Sequence, residues 1–113
     1  MKAVKTVIEP GACGFKVLLK AGFDEENKGL VNITFHSACE MVTGLNEDFK
    51  NLNWKQGVFK KMLDSYVYKA CSDKLKHVDC PVPSAILKTL QVLVGAAVEQ
   101  EVQIKITQVD SDS

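Results

Sequence analysis

The sequence predicts an α+β fold: a two-layer sandwich in the element order βββαααβ, whose antiparallel sheet is covered on one face by helices. Three segments with the two-residue periodicity of strands come first, three with helical spacing follow, and a further alternating segment stands near the end. The chain has 113 residues, of which 46% are hydrophobic and 25% charged, so it can form one core. We therefore treat residues 1–113 as a single domain.

The first three segments predict strands joined by short connections. Residues 3–9 are dominated by β-branched side chains and end at Pro10. Residues 15–21 and 31–36 alternate apolar and polar positions on either side of an acidic turn. Such short connections favour an antiparallel meander, in which the first and third strands end together. We call that end, near residues 9 and 37, the upper end of the sheet.

Three helices are expected next. Ser37 and Glu40 form the S-x-x-E pattern of a capping box before an amphipathic segment that reaches Phe49. A second helix is expected from Phe59 to about Ser72, with apolar residues spaced by three and four. A third should begin at Pro83, which suits a first helical turn, and run to about residue 99.

The last element is a fourth strand, in which Val102, Ile104 and Ile106 alternate with polar residues. One face of the completed sheet is then polar and exposed. Leu18 on this face is either a single exposed apolar residue or a homodimer contact. The polar residues expected there are Lys16, Lys20, Asn32, Thr34, Gln103 and Lys105.

Composition excludes several classes of function. The 14 basic residues are all lysine, 14 acidic residues balance them, and the net charge is zero, so we expect no nucleic-acid partner. The longest apolar run, residues 92–98, is far shorter than the roughly 20 residues that span a bilayer. The strand-like N-terminus does not resemble a signal peptide, so we expect a cytoplasmic protein without membrane association. Motifs for phosphate binding, serine hydrolysis and zinc proteolysis are absent.

Cysteines mark the predicted connections at the upper end. Cys13 follows the first strand and Cys39 follows the third. If the helices alternate in direction, the third helix begins at the same end, which brings Cys80 and His77 to it. His36 and Cys71 end elements that also reach this end.

The local sequence around these cysteines favours reactive or ligating sulfur. Cys39 is expected in the first turn of a helix, where unpaired N–H groups favour a thiolate. Gly11 and Gly14 bracket Cys13 and permit the positive-φ loops that point N–H groups at an anion or a cluster sulfur, which makes them cofactor-binding candidates. Cys80 precedes Pro81, which biases it towards extended backbone.

Ordinary structural roles compete with these interpretations. Cys71 continues a helical apolar stripe, so we expect it in the core. His36 shares the parity of exposed positions, which predicts a solvent-exposed side chain. His77 and Cys80 form H-x-x-C, a spacing that can chelate a metal but is also common on surfaces. Disulfides are not expected in a cytoplasmic chain with a core of this size.

The motifs PGACGF at residues 10–15, SAC at 37–39 and HxxCPVP at 77–83 resemble those of a small uncharacterised family, a domain of unknown function, from anaerobic bacteria and archaea. That resemblance covers nearly the whole chain and implies no established activity. A weaker similarity is to the OsmC-like peroxide reductases, which would place Cys39 and Cys80 in the positions of their reactive cysteines. The chain differs from that family in having Pro83 where a serine is usual, no arginine, and no strands between the two cysteine-bearing helices.

Three hypotheses follow from the residues. In the first, Cys13, Cys39, Cys80 and His77 bind zinc or an iron–sulfur centre, because three thiolates and a further ligand suit either. In the second, Cys39 and Cys80 are catalytic residues of a thiol redox enzyme, as attacking and resolving thiols. In the third, the chain is an interaction module with structural cysteines. Whether the protein is an enzyme, and with which partner it acts, is left open.

Overall fold

Three long strands form most of an antiparallel sheet in the computed structural model, which describes residues 2–112. The strands are β1 (Ala3–Ile8), β2 (Val17–Phe23), β3 (Leu30–Ser37) and the short β4 (Leu52–Asn53), in the spatial order β1-β2-β3-β4. All neighbouring pairs are antiparallel. The α+β class and the N-terminal meander are confirmed.

The helices are shorter than the sequence pattern suggests. They are α1 (Glu40–Thr43), α2 (Lys55–Val58), α3 (Tyr66–Lys74) and α4 (Val82–Leu93). Single 3₁₀ turns at Gly44–Glu47 and Met62–Asp64 lie between them. No helix among residues 2–112 combines the length and the apolar character needed to cross a bilayer.

The core lies between one face of the sheet and these helices. Alternate residues of β2 and β3 are buried there, because a strand directs successive side chains to opposite faces. Thr6 of β1 shares a hydrogen bond with Thr89 of α4 at 2.7 Å, and Lys2 Nζ donates to the Val92 carbonyl at 3.3 Å. Helix α4 therefore runs antiparallel to β1 and begins at the upper end of the sheet, as predicted. The buried strand residues are Ile8, Val17, Leu19, Ala21, Val31, Ile33 and Phe35.

The predicted capping box is wrong. Cys39 is the N-cap residue of α1, and no side chain caps that helix. The Ser37 hydroxyl instead accepts a hydrogen bond from the Cys39 N–H at 3.1 Å and donates to the Lys16 carbonyl at 2.9 Å. Helix α1 ends after one turn, whereas the pattern predicted continuous helix to Phe49. The reason is tertiary, since the next turn must present Asn46 to β3, where its side chain bonds both backbone groups of Phe35.

The second predicted helix begins too early. Its regular part starts at Tyr66, and Phe59, Met62 and Leu63 are exposed. The cause is a close approach of the chain to itself. Buried Gly57 packs against α3, and Ser65 Oγ donates to the Gly57 carbonyl at 2.9 Å. The chain must therefore reverse between these two residues, which a continuous helix would prevent.

The third helix ends earlier and the fourth predicted strand is wrong. Gly95 has φ +82°, its N–H donates to the Val92 carbonyl, and the Ala96 N–H donates to Gln91, as at a glycine-terminated helix end. Residues 98–110 then have no regular structure and are exposed. The fourth strand of the sheet is β4, which pairs with β3.

The outer face of the sheet largely follows the prediction. Lys16, Lys20 and Thr34 are exposed, and Asn32 is half-buried. Leu18 is half-buried between Val7 and His36 in neighbouring strands. Gln103 and Lys105 are exposed but belong to the C-terminal segment, so their predicted place on the sheet is wrong.

Candidate functional site

Three connections at the upper end of the sheet carry the candidate cysteines. Cys13 lies in the β1–β2 connection, Cys39 between β3 and α1, and Cys80 two residues before α4. All three are free thiols, Cys13 exposed and the other two half-buried. Cys39 and Cys80 pack against the edge of the hydrophobic core. Three segments that are remote in sequence thus carry cysteines at one end of the sheet.

Cys80 is electrostatically linked to the other two thiols. Its partial burial raises the pKa of the Cys80 thiol, and a hydrogen bond from the Val82 backbone lowers it. Negative charge on Cys13, Cys39 or Asp79 raises the pKa further, because like charges at short range oppose ionisation. These three groups therefore lie close enough to Cys80 to affect its ionisation. The thiol of Cys80 is the common neighbour of the cluster.

The start of helix α4 favours a Cys80 thiolate. Pro81 is the N-cap residue and Val82 the first residue of this twelve-residue helix, so the Val82 N–H has no partner within the helix. The Val82 backbone lowers the pKa of the Cys80 thiol, because an N–H donor favours the thiolate. The Cys80 N–H donates to the His77 carbonyl at 3.2 Å, which closes the turn before the helix. The Cys-Pro-Val sequence thus places a sulfur at a helix N-terminus.

Cys39 is held differently from the sequence expectation. It is the N-cap residue with extended backbone, φ −78° and ψ 114°, rather than a residue of the first helical turn. Helix α1 has only four residues, so its dipole is small and the predicted electrostatic assistance to a Cys39 thiolate has little physical basis. The bond from the Cys39 N–H to Ser37 Oγ fixes the backbone instead. Ser37 therefore positions Cys39, whereas the sequence pattern predicted that it caps the helix.

Cys13 lies on an exposed turn between two glycines with left-handed backbone. Gly11 has φ +85° and Gly14 has φ +74°, which confirms the predicted positive-φ loop. The Gly14 N–H donates to the Gly11 carbonyl at 3.0 Å. That N–H closes the turn and is therefore occupied in this conformation, contrary to the expectation that it points at a cofactor. The turn itself sets where the Cys13 side chain is presented.

Cys71 is a core residue, as predicted. It is 2% exposed, and burial raises its thiol pKa to about 12, with smaller contributions from charge on Cys80 and Asp48. The thiol is therefore protonated near neutral pH. It contributes to one wall of a cleft of about 450 Å³ between α3 and α4, which is also lined by Tyr68, Leu75, His77, Cys80 and Ser84.

The two histidines have different positions. His77 is exposed on the wall of this cleft, on the connection that leads to Cys80. His36 is exposed on the outer face of the sheet, next to Leu18 in β2, as its parity in the strand predicts. Only His77 shares a cavity with a candidate cysteine. His36 lies on the face of the sheet that points away from the helices and from this cleft.

The described side chains do not form a complete metal-binding group. Within residues 2–112, no set of three or more His, Cys, Asp or Glu side chains is arranged for metal ligation. The arrangement does provide three thiols at one end of the sheet, with Cys80 beside the start of α4 and Cys13 on an exposed turn. Neighbouring thiols can bind a soft metal cation together, or two of them can be oxidised to a disulfide.

Comparison with known proteins gives a family and no activity. A search of curated proteins and a search of solved structures each returned no match. A family model described as "Family of unknown function (DUF6951)" matches residues 4–106, which include all of the sheet except Ala3, helices α1 to α4 and all four cysteines. The chain therefore belongs to the family of unknown function DUF6951.

Proposed function

We propose that this protein binds a soft metal centre, either zinc or an iron–sulfur centre, through the thiolates of Cys13, Cys39 and Cys80. The observation that carries the proposal is that three connections at one end of the sheet carry Cys13, Cys39 and Cys80, where negative charge on either of the first two raises the pKa of the Cys80 thiol. Accumulated thiolate charge is unfavourable in a half-buried region without a compensating cation. A bound divalent metal or cluster iron removes that cost because thiolate sulfur is its preferred ligand.

The three proposed ligands differ in how much they must move. Cys80 is held by the start of α4 and Cys39 by the Ser37 hydrogen bond, so both backbones are fixed. Cys13 is exposed on its glycine-flanked turn, and apart from the adjacent residues no atom lies within 4 Å of a Cβ added at Gly11 or Gly14. The Cys13 turn therefore has space to close over a metal held by the other two residues. A fourth position falls to His77 or to an exogenous ligand.

Metal binding at this cluster is expected to depend on pH. Each ligating thiol must lose a proton, and the raised pKa of Cys80 makes that loss harder than for a free cysteine. Metal affinity should therefore increase as pH rises through the neutral range. Protons should be released on binding, and their number reports how many thiols become ligands.

The test is elemental analysis and a visible absorption spectrum of tag-free protein prepared anaerobically. We expect stoichiometric zinc or iron in the wild type, and loss of metal in Cys13→Ser, Cys39→Ser and Cys80→Ser. For zinc, each substitution should weaken competition-measured affinity by at least about 100-fold, as expected when one of a few ligands is removed. Cys71→Ala is the matched control, since this buried thiol lies outside the proposed ligand set and metal content should persist.

The second candidate function is thiol redox chemistry by Cys39 and Cys80, which is also what the OsmC-like similarity implies. Their electrostatic proximity favours it. The Cys39 thiolate would attack a peroxide oxygen, break the O–O bond and leave a sulfenic acid, while the second oxygen departs as water or alcohol after protonation. The Cys80 thiol would then displace the sulfenic hydroxyl as water and form a disulfide.

The same preparation separates the two functions. Metal-free protein that forms a Cys39–Cys80 disulfide under stoichiometric peroxide, as detected by peptide mass spectrometry, would favour redox chemistry and contradict the metal proposal. Metal-free protein whose thiols neither bridge nor reduce peroxide would contradict both. Fold and partner binding retained after replacement of all four cysteines would then support the interaction module.

A further inference from the structure

The two lateral edges of the sheet are treated differently. On the β3 side, β4 pairs with Leu30 and Val31, the Ile33 N–H donates to the Phe49 carbonyl at 2.9 Å, and the Asn46 side chain bonds both backbone groups of Phe35. That edge is closed along much of its length. On the opposite side, residues 3–8 of β1 have no backbone hydrogen bond to any part of residues 2–112 except β2. An open strand of this kind is a template for another strand.

A groove lies beside the open edge of β1. It has a volume of about 480 Å³ and separates β1 from the end of α4. Val4 and Val92 provide apolar surface, and Lys2, Lys5 and Glu99 are also among its lining residues. A strand added to β1 would direct every second side chain towards this groove, because side chains alternate between the two faces. Alternate side chains of such a strand would therefore enter the groove, where Val4 and Val92 give them apolar contacts.

The C-terminal segment has that pattern and lacks contacts that bury it. Val102, Ile104 and Ile106 are 55%, 77% and 91% exposed, and the residues between them are polar. The radius of gyration is 14.9 Å with a longest dimension of 57 Å, whereas a compact chain of this length has about 13 Å. An exposed β-branched alternating segment is typical of a strand without its partner. The family match extends to residue 106 and includes it.

Chain direction indicates which copy supplies the strand. Helix α4 runs antiparallel to β1, so the chain leaves α4 at the lower end, beside Lys2. A return along its own β1 would be parallel to that strand, although every pairing in this sheet is antiparallel. Residues 94–101 can span about 26 Å when extended, enough to carry the segment to a neighbouring molecule. A two-fold axis lets each copy present its segment in the antiparallel direction.

We propose that residues 102–107 of one copy bind as an antiparallel strand along β1 of a second copy, and that the exchange is reciprocal in a two-fold symmetric homodimer. Val102, Ile104 and Ile106 then cover the groove and extend the core. Gln103, Lys105 and Thr107 continue the polar outer face beside Lys5. In this arrangement residues 102–107, whose periodicity predicts a strand, pair with β1 of the second copy instead of with a strand of their own chain.

Sedimentation equilibrium of the full-length chain tests the assembly. We expect a species of twice the 12.4 kDa chain mass. Ile104→Lys puts a charge in place of an apolar side chain that faces the groove at both exchanged strands, so the dimer dissociation constant should rise by about 100-fold or more. Gln103→Lys adds the same charge on the outer face and is the matched control, with a change below about threefold. Circular dichroism checks that both variants keep the folded body.

Isotope-filtered NMR identifies the contact itself. In a dimer formed from one labelled and one unlabelled copy, nuclear Overhauser effects between residues 102–107 and 3–8 should arise across copies. A wild type that is monomeric at every concentration would overturn the proposal. So would a dimer that Ile104→Lys leaves intact, or contacts between these segments found only within one chain.

Discussion

Thr6 in β1 and Thr89 in α4 join the sheet to the helix layer through a hydrogen bond of 2.7 Å between their hydroxyl oxygens. Thr89 Oγ1 also donates to the Ala85 carbonyl at 2.7 Å. A hydroxyl has one hydrogen, so Thr6 must be the donor in the bond between the two. This pair sets the height of α4 on β1, and with it the position of Cys80 at the upper end.

Replacing either threonine of this pair by valine should destabilise the fold. Valine keeps the shape and removes the hydroxyl, so Thr6→Val and Thr89→Val should each reduce the free energy of unfolding by about 1 kcal/mol. The double variant should lose less than the sum, because neither hydroxyl is then left without its partner. Urea denaturation measures this. Thr34→Val, on the exposed outer face, is the control, and additive losses would show that the two hydroxyls do not interact.

Asn46 is expected to be the most important polar residue for the β3 edge. Its side chain accepts from the Phe35 N–H at 2.8 Å and donates to the Phe35 and Thr43 carbonyls at 3.0 Å each. Asn46→Ala should reduce the free energy of unfolding by about 2–3 kcal/mol, since it leaves strand groups unpaired. Hydrogen exchange at the Phe35 amide should become faster. Asn27→Ala, which removes one exposed turn bond, should cost less than about 1 kcal/mol, and equal losses would contradict this assignment.

Gly57 is required by space rather than by backbone conformation. A Cβ added there would lie 2.8 Å from Val67 Cγ2 and 3.8 Å from Leu90 Cδ1. Gly57→Ala should therefore destabilise the protein by about 1–3 kcal/mol, and Val67→Ala in the same chain should recover part of that loss relative to its own cost. Gly22→Ala is the control, because no atom lies within 4 Å of its added Cβ. Thermal unfolding compares Gly57→Ala, Val67→Ala, the double variant and Gly22→Ala. A Gly57→Ala variant with wild-type stability would contradict the close packing of α2 on α3.

The four cysteines should differ in their reaction with iodoacetamide. Metal-free folded protein should be alkylated first at exposed Cys13, and Cys71 should react only on unfolding. Peptide mass spectrometry over a time course follows each site. Rapid modification of Cys71 under native conditions would show that the cleft between α3 and α4 opens.

Ionisation of Cys71 should also make stability depend on alkaline pH. Burial raises its pKa from 9.0 to about 12, so the unfolded chain loses this proton at lower pH than the folded chain does. Stability is therefore retained below pH 9 and falls as pH increases towards 12, with a slope of up to about 1.4 kcal/mol per pH unit from this group. Cys71→Ala should make the slope between pH 9 and 10 shallower. An unchanged slope would show that the thiol ionises equally in both states.

Local periodicity predicted the elements that pack as the sequence suggests. The inward residues of β2 and β3, the start of α4 and the burial of Cys71 all follow from spacings of two or three to four residues. The left-handed backbone of Gly11 and Gly14 also follows from the residue type, because only glycine adopts it without a steric cost. These features are determined within a few residues along the chain, and no distant contact alters them.

Features that depend on distant segments needed the tertiary structure. Asn46 ends α1 early because its side chain pairs with β3, and the contact of Gly57 with α3 interrupts the second predicted helix. The alternation of residues 102–107 predicted a fourth strand that the structure does not contain, because a strand forms only where an edge is available to it.

For the candidate site, the sequence by itself determined that Cys13, Cys39 and Cys80 lie in connections between elements or next to helix starts. Only the tertiary structure decided that charge on Cys13 and Cys39 raises the pKa of Cys80, and that the Ser37 hydroxyl fixes the backbone of Cys39. The physical reason is that hydrogen bonding and charge act through space, whereas periodicity records only which face of an element is buried.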